Sequence, residues 1–91
     1  MGKSIQKVMT RGVKALGLSQ PVIESLFRKA EELRAKSTFL TFEPKGSTVF
    51  IGNGDGKTLG TLPAALPEKI WIIFDDYGDR WVATALLPRE Y

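Results

Sequence analysis

Residues 52–60 read GNGDGKTLG, a crowd of glycines around a Gly-Lys-Thr. In a P-loop such glycines let backbone N–H groups surround a phosphate, the lysine adds charge, and the following helix turns its positive end toward the ligand. The spacing here does not fit. A P-loop has four residues between its first glycine and the Gly-Lys, whereas three separate Gly52 from Gly56, and Ile51 stands one position earlier. The chain then continues as Leu59-Gly60-Thr61-Leu62-Pro63, a strand-like segment closed by proline. Asn53-Gly54 and Asp55-Gly56 are instead turn dipeptides, because glycine and asparagine tolerate positive φ. A turn without nucleotide affinity is expected, and Lys57→Ala is expected to leave any ligand binding nearly unchanged.

Asp75, Asp76 and Asp79 form a second cluster in FDDYGDRW. Carboxylates this close could hold a hard cation or act as an acid/base pair. The segment lacks the alternating ligands of a calcium loop, and aspartates also favour turns through bonds to their own backbone, so a structural turn is expected. The chain has no cysteine and no histidine. That excludes a disulfide framework, a thiolate nucleophile and a cysteine-based zinc site, and it removes the commonest general base. No nucleophile and base can be paired, so neither an enzyme nor a cofactor is expected.

The net charge of +3 is uneven, with eight Lys and Arg against three Glu in residues 1–36 and five against seven Asp and Glu thereafter. A basic amino-terminal half facing phosphate or an acidic partner is one explanation. Lysine-rich helix surfaces are the other. The aromatics Phe39, Phe42, Phe50, Phe74, Trp71 and Trp81 lie in strand-like segments. On an exposed sheet face beside cations such rings stack bases, and in a small domain they also build the core. Alternation in residues 39–42 puts one phenylalanine on each face of its strand.

The elements that carry these residues can be read from apolar period. Ile5, Val8, Met9, Val13 and Leu16 fit one side of a helix, which Gly12 weakens by ~1 kcal/mol relative to alanine. Ser19 is placed to cap a second helix over about 20–36, its hydroxyl accepting a first-turn N–H, with Pro21 in the first turn. Ile23, Leu26, Phe27, Ala30 and Leu33 form the buried stripe of that helix. Beyond residue 37 the period shifts toward two. Strands are expected at 38–42, 48–51, 58–62, 70–74 and 81–87, the fourth being the most apolar and central. The expected fold is therefore α+β: two N-terminal helices packed on an antiparallel sheet of four to five strands. Residues 1–91 make a single domain, with a basic helical half over 1–36 and the sheet over 37–91.

The segment VKALGLSQPVIESLFRKAEEL, residues 13–33, resembles the helix-turn-helix of bacterial regulators, and its SQP opening is similar to the LysR-type version. Leu16, Leu18, Ile23 and Leu26 match the motif's apolar positions and Gly17 its turn. The segment departs from the pattern at Gly12, Val13 and Glu24. The same residues also fit a plain αα-hairpin. The resemblance implies that Ser19, Gln20, Ser25, Arg28 and Lys29 face the grooves of nucleic acid while Lys3, Lys7, Arg11 and Lys14 contact phosphates. A small non-catalytic regulatory protein that binds nucleic acid is thus one expectation. A protein-binding inhibitor or adaptor of bacterial or phage type is the other. No apolar run approaches the ~20 residues of a membrane span and no secretory signal opens the chain, so a cytoplasmic protein without a membrane partner is expected.

Overall fold

The computed structural model describes residues 3–91. Along the chain come β1 (Ser4–Met9), α1 (Arg11–Ala15), α2 (Gln20–Leu33), β2 (Phe39–Lys45), β3 (Thr48–Gly52), β4 (Thr58–Leu62), β5 (Ile70–Asp76), β6 (Arg80–Leu86) and a closing 3-10 turn (Pro88–Glu90). The strands form one sheet in the order β1-β6-β5-β2-β3-β4. β1 runs parallel to β6, and every other neighbouring pair is antiparallel.

This corrects the expected architecture. The segment whose apolar spacing predicts a first helix forms an edge strand over residues 4–9, followed by a single helical turn that holds Val13. The sheet therefore has six strands rather than four to five, and it is mixed rather than antiparallel. The physical reason lies at the other end of the chain. β6 carries buried Val82, Ala83, Ala85 and Leu86, and without a neighbour its outer edge would leave a row of unpaired backbone groups beside the core. SIQKVM satisfies that edge, and its alternation sends Ile5, Lys7 and Met9 to the face shared with Trp81, Ala83 and Ala85. A run whose apolar residues fit both periods is decided by the partner available to it.

Local signals set the helix boundaries. Thr10 has extended backbone and accepts the Val13 N–H at 3.4 Å, which starts α1. Gly17, at φ +67°, ends it. Pro21 lies in the first turn of α2 as expected, but the Ser19 side chain makes no cap hydrogen bond. The Ser19 backbone carbonyl accepts the Ile23 N–H at 3.1 Å, the ordinary first hydrogen bond of the helix. Leu26, Phe27, Ala30 and Leu33 of α2 are buried in one cluster with Leu40, Phe42, Val49, Ile51, Ile70, Ile72 and Phe74 from the sheet. Both helices thus cover the same sheet face, and among the described residues the opposite face carries no helix. None of the helices among the described residues is long and apolar enough to cross a membrane.

Gly12, read as a weak point in a helix, has a packing role. Its N–H donates to Glu90 at 3.0 Å, and a Cβ there would stand 2.7 Å from the Glu90 carboxylate. Glu90 also accepts from the Thr10 hydroxyl at 2.6 Å and the Leu87 N–H at 2.8 Å, tying the closing turn to the start of α1. The Thr10 hydrogen bond, then those from Leu87 and Gly12, hold its carboxyl below the ordinary 4.5. A depressed folded pKa contributes stability above the unfolded value, and that contribution disappears as pH falls through the folded value. Glu90→Gln is accordingly expected to lower the thermal midpoint at neutral pH. The gap to the wild type should close as the buffer is taken well below pH 4.5, measured by thermal scans across a pH series.

Candidate nucleic-acid interface

Alternation along β2, β3 and β5 determines what the uncovered face presents. Leu40, Phe42, Val49, Ile51, Ile70 and Ile72 point to the helices and are buried, so Phe39, Thr41, Glu43, Phe50, Trp71 and Ile73 point the other way. Register places Thr41 beside both Trp71 and Gly52, and Glu43 beside Phe50. The small residues Thr41 and Gly52 thus form a low floor between larger aromatic side chains. The result is a hollow of about 440 Å³ whose lining includes Phe39, Trp71, Phe50, Thr58, Lys57 and Lys69. That size falls within the ~300–1,000 Å³ typical of ligand sites.

The walls are ordered by ring contacts. Phe39 and Trp71 lie 5.0 Å apart at 57°, and Tyr91 meets Trp71 edge-on at 5.6 Å. Edge contacts of this kind contribute ~0.5–1.5 kcal/mol beyond burial and fix ring orientation. Phe50 is 36% exposed and has the Lys45 ammonium 5.1 Å from its ring centroid. The Trp71 indole N–H is buried without a hydrogen-bond partner among the described residues, leaving an unsatisfied donor in the wall. Lys57 and Lys69 are exposed on the rim, and Glu43 lies 3.7 Å from Lys69.

The glycine-rich stretch closes one side of this hollow. It is a turn between β3 and β4, with Gly54 and Gly56 at φ +87° and +85° and the Asn53 side chain accepting the Asp55 N–H at 2.9 Å. A strand comes after it, so the helix a P-loop needs is not there. Yet Gly54 lies against the Phe39 ring, where a Cβ would approach to 3.1 Å, and Lys57 reaches the rim. Gly52 is equally constrained, since a Cβ would stand 2.9 Å from the Lys57 carbonyl. The loop is therefore part of the hollow, a placement its sequence alone did not indicate, and with Lys57 in the lining the expectation that Lys57→Ala leaves ligand binding unchanged is withdrawn.

The residues expected to contact nucleic acid are dispersed. Lys3, just before β1, hydrogen-bonds Asp76 and lies 4.9 Å from the Trp81 ring centroid. That bond from Lys3, with the Gly78 N–H, holds the Asp76 carboxyl below its ordinary value. Lys7 lies on β1, 3.7 Å from Glu31, while Arg11 and Lys14 belong to α1. The three-and-four spacing of Lys7, Arg11 and Lys14 therefore does not describe one helix face. Ser19 precedes α2, Gln20 opens it and hydrogen-bonds Glu24 at 3.4 Å, and Ser25 donates to the Pro21 carbonyl at 2.9 Å. Arg28 is exposed on α2, and Lys29 pairs with Glu32 at 3.5 Å. Only Lys7, Lys14 and Gln20 converge, in a groove between β1 and the helices.

Asp75, Asp76 and Asp79 do not assemble a metal site, and the described residues contain no group of three metal-ligating side chains. Asp76 accepts the Gly78 N–H at 2.8 Å, and Asp79 pairs with Arg80 at 3.0 Å, as in a structural turn. No family model matches this chain, and no curated protein or solved structure matches it.

Proposed function

We propose that this chain is a non-catalytic protein that binds single-stranded nucleic acid on the uncovered face of its sheet. The observation that supports the reading is the hollow walled by Phe39, Phe50 and Trp71, with a floor of small and hydroxyl-bearing residues and lysines on the rim. Every base has a π-face, so aromatic walls accept successive bases with little sequence preference, and rim cations track the phosphates. Trp71 and Phe50 stand on strands separated by β2, with Thr41 and Glu43 on the same face between them. Duplex binding through the helical half is the second reading. Gly17 does turn the chain between α1 and α2, and Arg11, Lys14 and Arg28 are exposed without a carboxylate partner among the described residues. It has less support, because α1 is a single turn and the cations assigned to that surface are dispersed over β1, α1 and α2.

Salt dependence separates the two. If Lys45, Lys57 and Lys69 each meet a phosphate, the slope of log K against log salt for a single strand is about −2. Lys57→Gln with Lys69→Gln should make it shallower by ~1.4. Replacing Lys7, Arg11 and Lys14 together by glutamine should leave the slope close to that of the wild type. Fluorescence anisotropy of labelled oligothymidylate and of a duplex, across a salt series, reads these quantities. A slope that responds to the helical triple variant and not to the rim pair would transfer the function to the helices.

A further inference from the structure

The outer edge of β1 carries a second, independent feature. The Thr10 N–H donates to the Ala85 carbonyl at 3.0 Å, so even-numbered residues of this segment turn their backbone groups toward β6. In a parallel ladder successive residues alternate in direction. Ile5, Lys7 and Met9 therefore turn N–H and C=O away from β6, to the open edge of the sheet. Beside that edge lies a groove of about 420 Å³ lined by Val8, Met9, Ile23, Phe27, Lys7 and Lys14, together with Gln20 and Glu24. An unpaired strand edge next to an apolar groove is the arrangement by which domains add an extended peptide as a further strand.

We propose that this groove takes an extended segment of a partner protein, paired along β1, with apolar side chains seated on Ile23 and Phe27 and a carboxylate near Lys7 and Lys14. Charge argues for the acidic partner. Lys14 lines the groove without a carboxylate partner among the described residues, Lys7 reaches Glu31 only at 3.7 Å with both side chains well exposed, and the groove's own carboxylate, Glu24, is engaged by Gln20 at 3.4 Å. Charge also argues against a second copy of this chain. Two-fold antiparallel pairing of β1 centred near Lys7 would set the Lys7 side chains of both copies beside each other, and like charges across a strand pair are destabilising. The groove and the sheet-face hollow share no lining residue, so peptide binding here does not depend on nucleic acid binding there.

The test uses the full chain and three fluorescein-labelled heptapeptides. One has alternate positions Val, Asp, Ile and Val, the second replaces the Asp by Lys, and the third is the acidic peptide with its β1-facing amides N-methylated. Saturable binding of the acidic peptide is expected, with the lysine and N-methylated forms weaker by roughly tenfold or more. Amide shifts should centre on residues 5–9 and on Ile23 and Phe27. Lys7→Pro removes an outward N–H that β6 does not use, which an edge strand tolerates, and it should weaken the acidic peptide about as much as N-methylation does. Should that variant fail to fold, Lys7→Glu with Lys14→Glu should reverse the preference between acidic and basic peptides. Absence of saturable binding, equal affinity for all three peptides, or shifts confined to the sheet face would overturn the proposal. So would a dimer of the free chain in sedimentation that the peptide dissociates, or oligothymidylate displacing the peptide from the groove.

Discussion

Phe42→Ala is expected to lower the unfolding free energy by ~3–5 kcal/mol, the range for removing a buried phenylalanine and leaving a cavity. Phe42 is fully buried on β2, between β3 and β5 and beneath the helices, with Ile51 and Ile70 as its ladder neighbours. Neighbours held in two ladders cannot collapse into the vacated space, which places the cost toward the upper end. A chain of 91 residues has about 5–14 kcal/mol to lose. The thermal midpoint should therefore fall by on the order of 20 °C, as read by urea and thermal unfolding. Leu26→Ala, Phe27→Ala, Ile72→Ala and Phe74→Ala act on the same core at ~2–5 kcal/mol each. Negligible shifts in this set would mean that the helices do not cover the face assigned to them.

The second large effect concerns binding. Phe50→Ala is expected to weaken a single-stranded oligonucleotide by ~1–3 kcal/mol, about five- to 150-fold, as for loss of one base–aromatic stack. Phe50 is the informative position because it is exposed on β3 and lies outside the buried cluster. Its removal should cost the fold far less than Phe42→Ala, because the ring is already 36% exposed. Trp71→Ala should weaken binding at least as much, but its ring also contacts Phe39 and Tyr91, so some stability goes with it. Anisotropy titrations of oligothymidylate at fixed low salt, with each variant's unfolding curve alongside, separate the two contributions. If Phe50→Ala binds as tightly as the wild type, no stacking occurs on this face.

Much of the fold was legible because single segments carried enough signal. α2 has one apolar stripe with a proline in its first turn, and β5 is a continuous apolar run; both elements form, and β5 lies within the sheet. The turn over 52–58 was legible from its Asn-Gly and Asp-Gly pairs. β1 was not legible as a strand, because Ile5, Val8 and Met9 satisfy the helical period and the need for a strand arises on β6, more than seventy residues away. Thr10 did hold a clue, since it is a cap residue that sets the helix start at residue 11. The hollow was harder still. Alternation put one phenylalanine of β2 on each face, but the grouping of Phe39, Phe50, Trp71 and Lys57 depends on strand order and register, which no local pattern encodes. The dispersal of Lys3, Lys7, Arg11 and Lys14 has the same origin, because a helix face was assigned to a strand.

Whether nucleic acid meets the uncovered sheet face is read most directly by a ¹H–¹⁵N correlation titration of the full chain with oligothymidylate at low salt. Trp71 supplies an indole N–H in the wall of the hollow, while the Trp81 ring lies on the other face of the sheet with Phe74, so the two indole signals act as probe and control. Binding in the hollow should shift the Trp71 indole and the amides of Phe39, Thr41, Phe50, Gly54 and Lys57 together, with one saturation curve, while Trp81, Arg11, Lys14 and Arg28 stay in place. Shifts concentrated on residues 11–29, or a spectrum unchanged at saturating oligonucleotide, would contradict it.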